Sequence, residues 1–572
     1  MSTDDRNGLH LDLLSRVSVC ADTVLAIGHG IESLGPAWTA RQPSGRFIAL
    51  DDSVRDAQVL GNAERQTLPG DLEQAQTWVR LGAILAGRRA DVLVLDGVLE
   101  RVEDPRSIMA RLRSHIAPGG TCVACFSNVA HWQNVRLLLQ GQWEDPDALP
   151  SEVRPRHRYT LDSIGRILAS TGWTLLDATP RIANPQQTEA AVQKLLPIAQ
   201  SLGLDPQQVR RDLSALQWVI RAVNGKAETP ISVAALGLRK FAGVTEARVD
   251  HPLQALNSLP QVRAVWSSTQ LQVPPGWPPG VFILHRQFMN NPAFNEAIER
   301  QIAKGWTVVA DMDDDPHHWP AYPESGFRAF RGVHAVTVST PALADMMRQW
   351  NPHVQVFPNA IPALPPIEQA VPKGPVPRIF FGALNRAGDW GPIRDELVSA
   401  AQALGQGAHW VVIHDRAFFD TLPADIPKTF HPTLPPQAYL AQLASCDISL
   451  LPLADTPFNR LKSDLKFIES CAAGAVPVCS PTVYAERPEH LEIGCFVLEP
   501  AQWRAALLRL AQDPTELARR RQLGLDYVRR ERMMAQQAAP RLHFYRDLMA
   551  RRPELEAQRQ ARLQELDRSR GV

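Results

Sequence analysis

Apolar residues recur along the chain in short runs rather than at helical spacing. Val24-Leu-Ala-Ile27, Phe47-Ile-Ala-Leu50 and Val92-Leu-Val-Leu95 are the first three, the last two flanked by Arg46 and Asp51 and by Asp91 and Asp96. Runs this short and this apolar predict strands buried on both faces, as in a parallel sheet. Amphipathic segments lie between them. Gln217-Trp-Val-Ile-Arg-Ala222 reads as the last strand of this set, with two short helices over 184–213 placed before it. Gly225-Lys-Ala-Glu-Thr-Pro230 is a polar boundary, and a second alternation follows. Val281–His285, Trp306–Ala310 and Ala335–Ser339 predict strands; Asn295–Ala303 predicts a helix. Thr340-Pro341 is an N-cap followed by proline at the first helical position. A proline-rich link, Pro362 to Pro377, precedes a third alternation with strands at 378–382, 410–414, 447–453 and 495–498. Alternating strands and helices predict an α/β fold of three doubly wound, Rossmann-like units. The expected domains are 1–225, 226–365, 366–550 and a charged helical tail over 551–572, frayed in part.

One stretch organises the last unit. Asn459-Arg-Leu-Lys-Ser-Asp-Leu-Lys-Phe-Ile-Glu469-Ser-Cys-Ala-Ala-Gly474 reads as a loop and a helix, followed by a buried strand. Ser463 is the expected N-cap and Gly474 the stop. Lys462 stands at the loop-to-helix junction, where amide groups already favour an anion. Glu469 lies about 9 Å along the axis at 1.5 Å per residue. That separation suits a diphosphate at one end and a ribose further along. The same pattern also fits an amphipathic helix with solvated charges.

Composition narrows the options. The 572 residues carry 60 Lys+Arg against 60 Asp+Glu. With no charge excess, neither nucleic acid nor an acidic membrane surface is an expected partner. No apolar run reaches the length of a membrane span, and the polar start does not read as a signal peptide. A cytoplasmic protein is expected. Cys122 and Cys125 are three apart within an apparent strand and so face opposite sides, which argues against a metal or redox pair.

Motifs sharpen the first unit. Gly28-His-Gly30 follows a strand, and Asp51 ends the next. Then come Asp91-Val-Leu-Val-Leu-Asp-Gly-Val-Leu-Glu100, Ile116-Ala-Pro-Gly-Gly120, Phe126-Ser-Asn128-Val-Ala-His131 and His157-Arg-Tyr-Thr160. This run resembles class I S-adenosylmethionine-dependent methyltransferases, in the branch found with sugar and surface-polysaccharide enzymes. The resemblance covers most of residues 20–225. It implies Gly28 and Gly30 beside the methionine part of the cofactor, Asp51 on the ribose, Asp71 at the adenine and Asp96 closing the pocket. It places Asn128, His131 and His157 toward the methyl acceptor. Two positions depart from the family: Glu32 stands where a third glycine is usual, and Arg101 replaces a histidine.

The remaining two units, with a link between them, resemble the GT-B architecture, and most closely family-four-like glycosyltransferases using nucleotide-diphosphate sugars. Val338-Ser-Thr-Pro-Ala-Leu-Ala, Pro358-Asn-Ala-Ile, Phe381-Gly-Ala-Leu and the 459–482 stretch carry the resemblance. It implies that Asn385, Arg386 and Lys462 meet the diphosphate, with the amides of Ser463 and Asp464, and that Glu469 takes the ribose. His414-Asp415 and Phe430-His431 would lie near the base. The family has a carboxylate where this chain has Leu461; Asp464 or Asn459 is the expected substitute.

Asp311-Met-Asp313-Asp-Asp-Pro-His-His318 is the sharpest acidic cluster. Three readings stand: a metal-chelating Asp-x-Asp, a solvated turn, or an acceptor-side wall with Asp313 or Asp314 as catalytic base. A second lobe carrying the phosphate helix favours the acceptor side and no essential metal. The resulting expectation is a glycosyltransferase acting on a glycan or glycoprotein, in polysaccharide biosynthesis, fused to a module that methylates the same glycan. The alternatives are a methyltransferase whose second half only binds sugar, and a non-catalytic scaffold.

Overall fold

A computed structural model of the chain describes residues 3–51, 60–61, 64–143, 155–240, 243–270, 273–365 and 376–570. Asp52 and the middle of the proline-rich link lie outside the described residues. The chain divides into two compact units, residues 1–230 with Asn257–Gln261, and Ile231–Leu256 with Val262–Val572.

The first unit holds one eight-stranded sheet. Its strands are β1 (Thr23–Gly28), β2 (Arg46–Asp51), β3 (Leu60–Gly61), β4 (Arg65–Pro69), β5 (Ala90–Asp96), β6 (Ile116–Ser127), β7 (Trp173–Arg181) and β8 (Gln217–Asn224). The order is β3-β4-β2-β1-β5-β6-β8-β7. Pairing is parallel from β4 to β6, while β8 runs antiparallel to β6 and β7. Successive residues of β1 serve opposite faces: Leu25 and Ile27 join one apolar core, Val24 and Ala26 the other. Both faces are covered, which is why the run reads as unbroken hydrophobicity. The register aligns Gly28 with Asp51 on one side and with Asp96 on the other. Three predicted site residues thus share one sheet edge.

Two six-stranded, all-parallel sheets build the second unit. The first contains β9 (Ile231–Leu236), β10 (Val262–Ser267), β11 (Val281–His285), β12 (Thr307–Met312), β13 (Ala335–Val338) and β14 (Val354–Val356), in the order β10-β9-β11-β12-β13-β14. The second contains β15 (Arg378–Gly382), β16 (His409–Ile413), β17 (Lys428–His431), β18 (Ile448–Leu451), β19 (Val476–Cys479) and β20 (Cys495–Phe496), in the order β17-β16-β15-β18-β19-β20. Three Rossmann-like sheets, two of them in one unit, match the predicted fold class.

Local expectations hold at several points. Thr340 accepts from the Leu343 amide with Pro341 behind it, and Gly474 ends its helix in the left-handed region at φ 73°. Helices Pro185–Ser201 and Pro206–Ser214 stand where two were predicted. Cys122 and Cys125 are free buried thiols on β6, and burial pushes the Cys122 thiol up to about 12.

Two expectations are corrected. The organising helix runs Leu465–Ala472, with Asp464 at the N-cap position, so Ser463 does not cap it. Ser463 instead accepts a hydrogen bond from Asn359 at 2.8 Å. The tail is also not a frayed end. Helix Arg552–Arg570 buries Leu555 and Leu566, and its buried Arg559 pairs with Glu299 at 2.7 Å in the first lobe of its unit. Its charged sequence hid this, because only one apolar residue per two or three turns reaches the core. No helix among the described residues is long and apolar enough to cross a membrane.

Candidate functional site

Carboxyl ends of parallel strands gather polar groups, because the chain turns there and backbone amides are exposed. In the first unit this edge holds Gly28, Asp51 and Asp96. Gly30 is left-handed at φ 69°, the conformation that lets the following turn tighten. Gly70 is also required: a Cβ there would meet the backbone of Asp51 and Leu50 at 2.7 Å. Asp71 next to it binds its own turn, accepting from the Glu73 amide and the Gln74 side chain. Asp51 is fully buried, and Glu32 shares a hydrogen bond with it. That bond, then burial, pushes the Glu32 carboxyl up to about 7. Asp96 has His10 at 3.7 Å. A buried strand-end carboxylate beside glycine turns fits a ribose-bearing cofactor, with Glu32 as the group that competes for Asp51.

A cavity of about 1030 Å³ opens beside Asp96. Asn128 and His131 line it; His157 does not. Asn128 is spent on structure, donating to the carbonyls of Asp212 and Ala215 and accepting from the Ala130 amide. His131 is 3% exposed, and burial pulls its imidazole down to about 4, so it is neutral. The His157 ring sits on the Glu103 carbonyl at 3.1 Å. Helix Thr3–Arg16, which the sequence did not announce, supplies Asp12, Ser15 and Arg16 to the same cavity.

In the second unit, Asn385 and Arg386 follow β15 and Lys462 precedes helix Leu465–Ala472. Asn385 is left-handed at φ 54°. Arg386 pairs with Asp389 at 2.9 Å, and Asp389 also accepts from Asn459 and the Ala454 amide. The Lys462 ammonium lies 4.2 Å from the Phe458 ring centre and 3.4 Å from Asp314. Burial draws it below the usual lysine range; Arg386 and Arg286 act in the same direction, while Asp314 opposes. Glu469 receives Lys466 at 2.9 Å. Asp464 is engaged by both terminal nitrogens of Arg532, one at 2.7 Å. With Asp464 and Asn459 committed, neither replaces the carboxylate absent at 461. Leu461 itself packs on the apolar core of the first lobe. His414 bonds Thr433, and Asp415 caps helix Arg416–Thr421 while accepting from Trp390.

The acidic cluster separates into different jobs. Asp311 is buried and takes Arg248 in two bonds of 3.1 and 2.7 Å, with His285 and Thr337 completing its shell. Against the cost of burial, Arg248 and His285 hold its carboxyl far below the usual range. Asp313 pairs with Arg286 at 2.6 Å and is likewise held low. Asp315 caps the turn at Pro316–His318. Among the described residues no group of three or more His, Cys, Asp or Glu is placed to hold a metal ion. Arg286 was missed by sequence reasoning; the available signal was its place directly after a strand end.

Three mainly parallel, doubly wound sheets with polar side chains at their strands' carboxyl ends place the chain in the Rossmann-like α/β class. Residues 22–178 match the family model described as a methyltransferase domain, so the chain joins such a domain to two further doubly wound sheets. No curated protein matches the chain. Among solved structures, TarM is similar at 10% identity over 46% of this chain and 54% of its own, with a TM-score of 0.35. The chain thus spans about half of TarM. WaaG, a glycosyltransferase involved in lipopolysaccharide biosynthesis, is similar at 13% identity over 54% of this chain and 98% of its own, TM-score 0.39. HepE from Anabaena, solved with UDP-glucose, is similar at 12% over 55% and 99%, TM-score 0.39.

Proposed function

We propose that the second unit transfers a sugar from a nucleotide-diphosphate donor to a glycan or protein acceptor. The observation that carries this reading is Lys462. It is a half-buried ammonium at a helix start, near Arg386 on a neighbouring strand end, with only a long contact to a carboxylate. Such a cation is free to turn to a diphosphate. Lys462 and Arg386 offset the charge that develops on the departing diphosphate, and the Leu465 helix start adds its amides. Glu469, a few residues along, receives the ribose after releasing Lys466. Asp313, paired and held ionised, is a poor proton acceptor, so Asp314 is the better of the two predicted carboxylates for that task.

In the first unit, Gly28, Gly30, Asp51 and Asp96 would hold S-adenosylmethionine, with Asp71 toward the adenine. The bound cofactor supplies a methyl group to an acceptor oxygen. The cavity beside Asp96 takes that acceptor, and the neutral His131 on its wall accepts a hydrogen bond from it. The shared acceptor is a glycan, which gives the fusion a common substrate.

Leu461 favours one second reading. An apolar residue packed into the lobe core replaces a sugar-contacting carboxylate, which suits binding without turnover. Calorimetry of the full chain with nucleoside diphosphates and S-adenosylhomocysteine, followed by donor hydrolysis assays on Lys462→Ala and Glu469→Ala, tests both. Binding with hydrolysis that falls in the variants supports transfer. Binding without hydrolysis supports the second reading. No heat from either ligand class, in the wild type and in Asp314→Asn alike, refutes the proposal.

A further inference from the structure

The basic groups of the second unit do not all come from the residues the sequence singled out. Arg286 follows the last residue of β11 in the left-handed region, at φ 52°, an uncommon conformation for a side chain of its size. Its amide donates to the Asp311 carbonyl at 3.1 Å, which ties that backbone to the next strand. Its guanidinium lies 5.2 Å from the Trp319 ring centre. It donates to Asp313 at 2.6 Å and has a terminal nitrogen 3.7 Å from Asp314. From the other lobe, the Lys462 ammonium approaches both oxygens of Asp314, at 3.4 and 3.5 Å. One carboxylate therefore stands between a cation of each lobe.

Both contacts are long. Charge-assisted N–H···O bonds close to about 2.7–2.9 Å when the geometry is good. Asp314 neutralises the pair without bonding either cation well. Its loop gives it another task as well: its Oδ1 accepts the Asp315 amide at 3.1 Å. An anion with more oxygens and more charge, free to settle between the lobes, would satisfy these cations better than a side chain anchored in its own turn.

We propose that Arg286 is a third cation for the donor diphosphate, from the lobe opposite Lys462 and Arg386, and that Asp314 is an internal stand-in for that diphosphate which the donor displaces. This rests on the reading of the second unit as a nucleotide-diphosphate site. It gives Asp314 a second role before any acid–base step: it keeps two cations of like sign together while no ligand is bound. It also makes the donor trade one intramolecular ion pair for several intermolecular bonds, so affinity depends on the strength of the stand-in.

Asp314→Asn is a clean test, because the amide oxygen still accepts the Asp315 amide and only the charge is lost. Calorimetry on the full chain with UDP, GDP and ADP is read for the wild type, Asp314→Asn, Arg286→Gln and Arg286→Lys. Asp314→Asn binds at least one of these probes about fivefold tighter, the scale of a partly exposed ion pair. Arg286→Gln binds it about tenfold weaker, and Arg286→Lys recovers part of the loss. Binding seen only in Asp314→Asn also supports the proposal. If the wild type binds and Asp314→Asn binds equally or more weakly, the stand-in is refuted while the donor site stands. Unchanged binding in Arg286→Gln refutes the third cation in the same way. No binding in either the wild type or Asp314→Asn sinks this proposal and the donor reading together.

Discussion

Asp51 and Asp311 occupy similar places in the two units. Each lies at or near the carboxyl end of a parallel strand, and neither is more than 3% exposed. Their partners differ in kind. Asp311 has a guanidinium, an imidazole and a hydroxyl around it, each placed by a different element. Asp51 has the carboxyl of Glu32 among its partners, a contact that pushes the Glu32 carboxyl up to about 7. A buried carboxylate whose oxygens are taken up by a guanidinium, an imidazole and a hydroxyl has no capacity left for a ligand and acts as a fastening. One with another carboxyl against it would, on the proposed reading, exchange that partner for a neutral diol. Position at a strand end is shared; the partner separates structure from function.

The sharpest way to break this contrast is at Arg248. Arg248→Met leaves the Asp311 charge buried without its main partner, and loss of about 3–5 kcal/mol of stability is expected. Urea unfolding followed by circular dichroism reads it. A loss below about 1 kcal/mol would show that Asp311 is not the fastening described. Lys462→Ala should come next in size. It removes a cation whose carboxylate contact is long, and the affinity for a nucleoside diphosphate is expected to fall about tenfold or more, with stability nearly unchanged. Asp51→Asn keeps the shape of the strand end and removes its charge. A fall of about tenfold in S-adenosylhomocysteine affinity is expected, by calorimetry on the full chain. Unchanged affinity would place Asp51 with Asp311 among the fastenings.

Much of this contrast was out of reach of the sequence, for identifiable reasons. The parallel strands were legible because both faces are covered, so β5 is apolar at nearly every position between Asp91 and Asp96. The small, plain run Ile231-Ser-Val-Ala-Ala-Leu236 of β9 carries no such emphasis, although it is buried throughout. Lys462 was legible because it precedes a helix with a clear stop. The fate of its neighbours was not. Asp464 is committed to Arg532, 68 residues away, and Asp311 to Arg248, 63 residues before it. A cluster of acids looks uniform along the chain, and only long-range partners tell a fastening from a cap or a ligand group. Leu461 was visible as a departure, but its reason, packing on another lobe's core, was not.

The smallest effect addresses the two carboxyl partners directly. Glu32 titrates at about 7 in the fold against an ordinary 4.5. A raised value means that the proton is held more tightly in the folded state. The stabilisation from this proton is complete below about pH 4.5 and is lost as pH rises through about 7. Glu32→Gln keeps a donor toward Asp51 and cannot ionise. Thermal melts between pH 5 and pH 8 should therefore fall less steeply with pH in the variant than in the wild type. The Asp311–Arg248 pair itself gives no slope in that window, since its carboxylate is held far below it and arginine stays charged far above. An equal slope in both proteins would mean that Glu32 does not hold a proton against Asp51. The first unit would then carry an ordinary exposed glutamate beside Asp51, with no carboxyl partner to exchange.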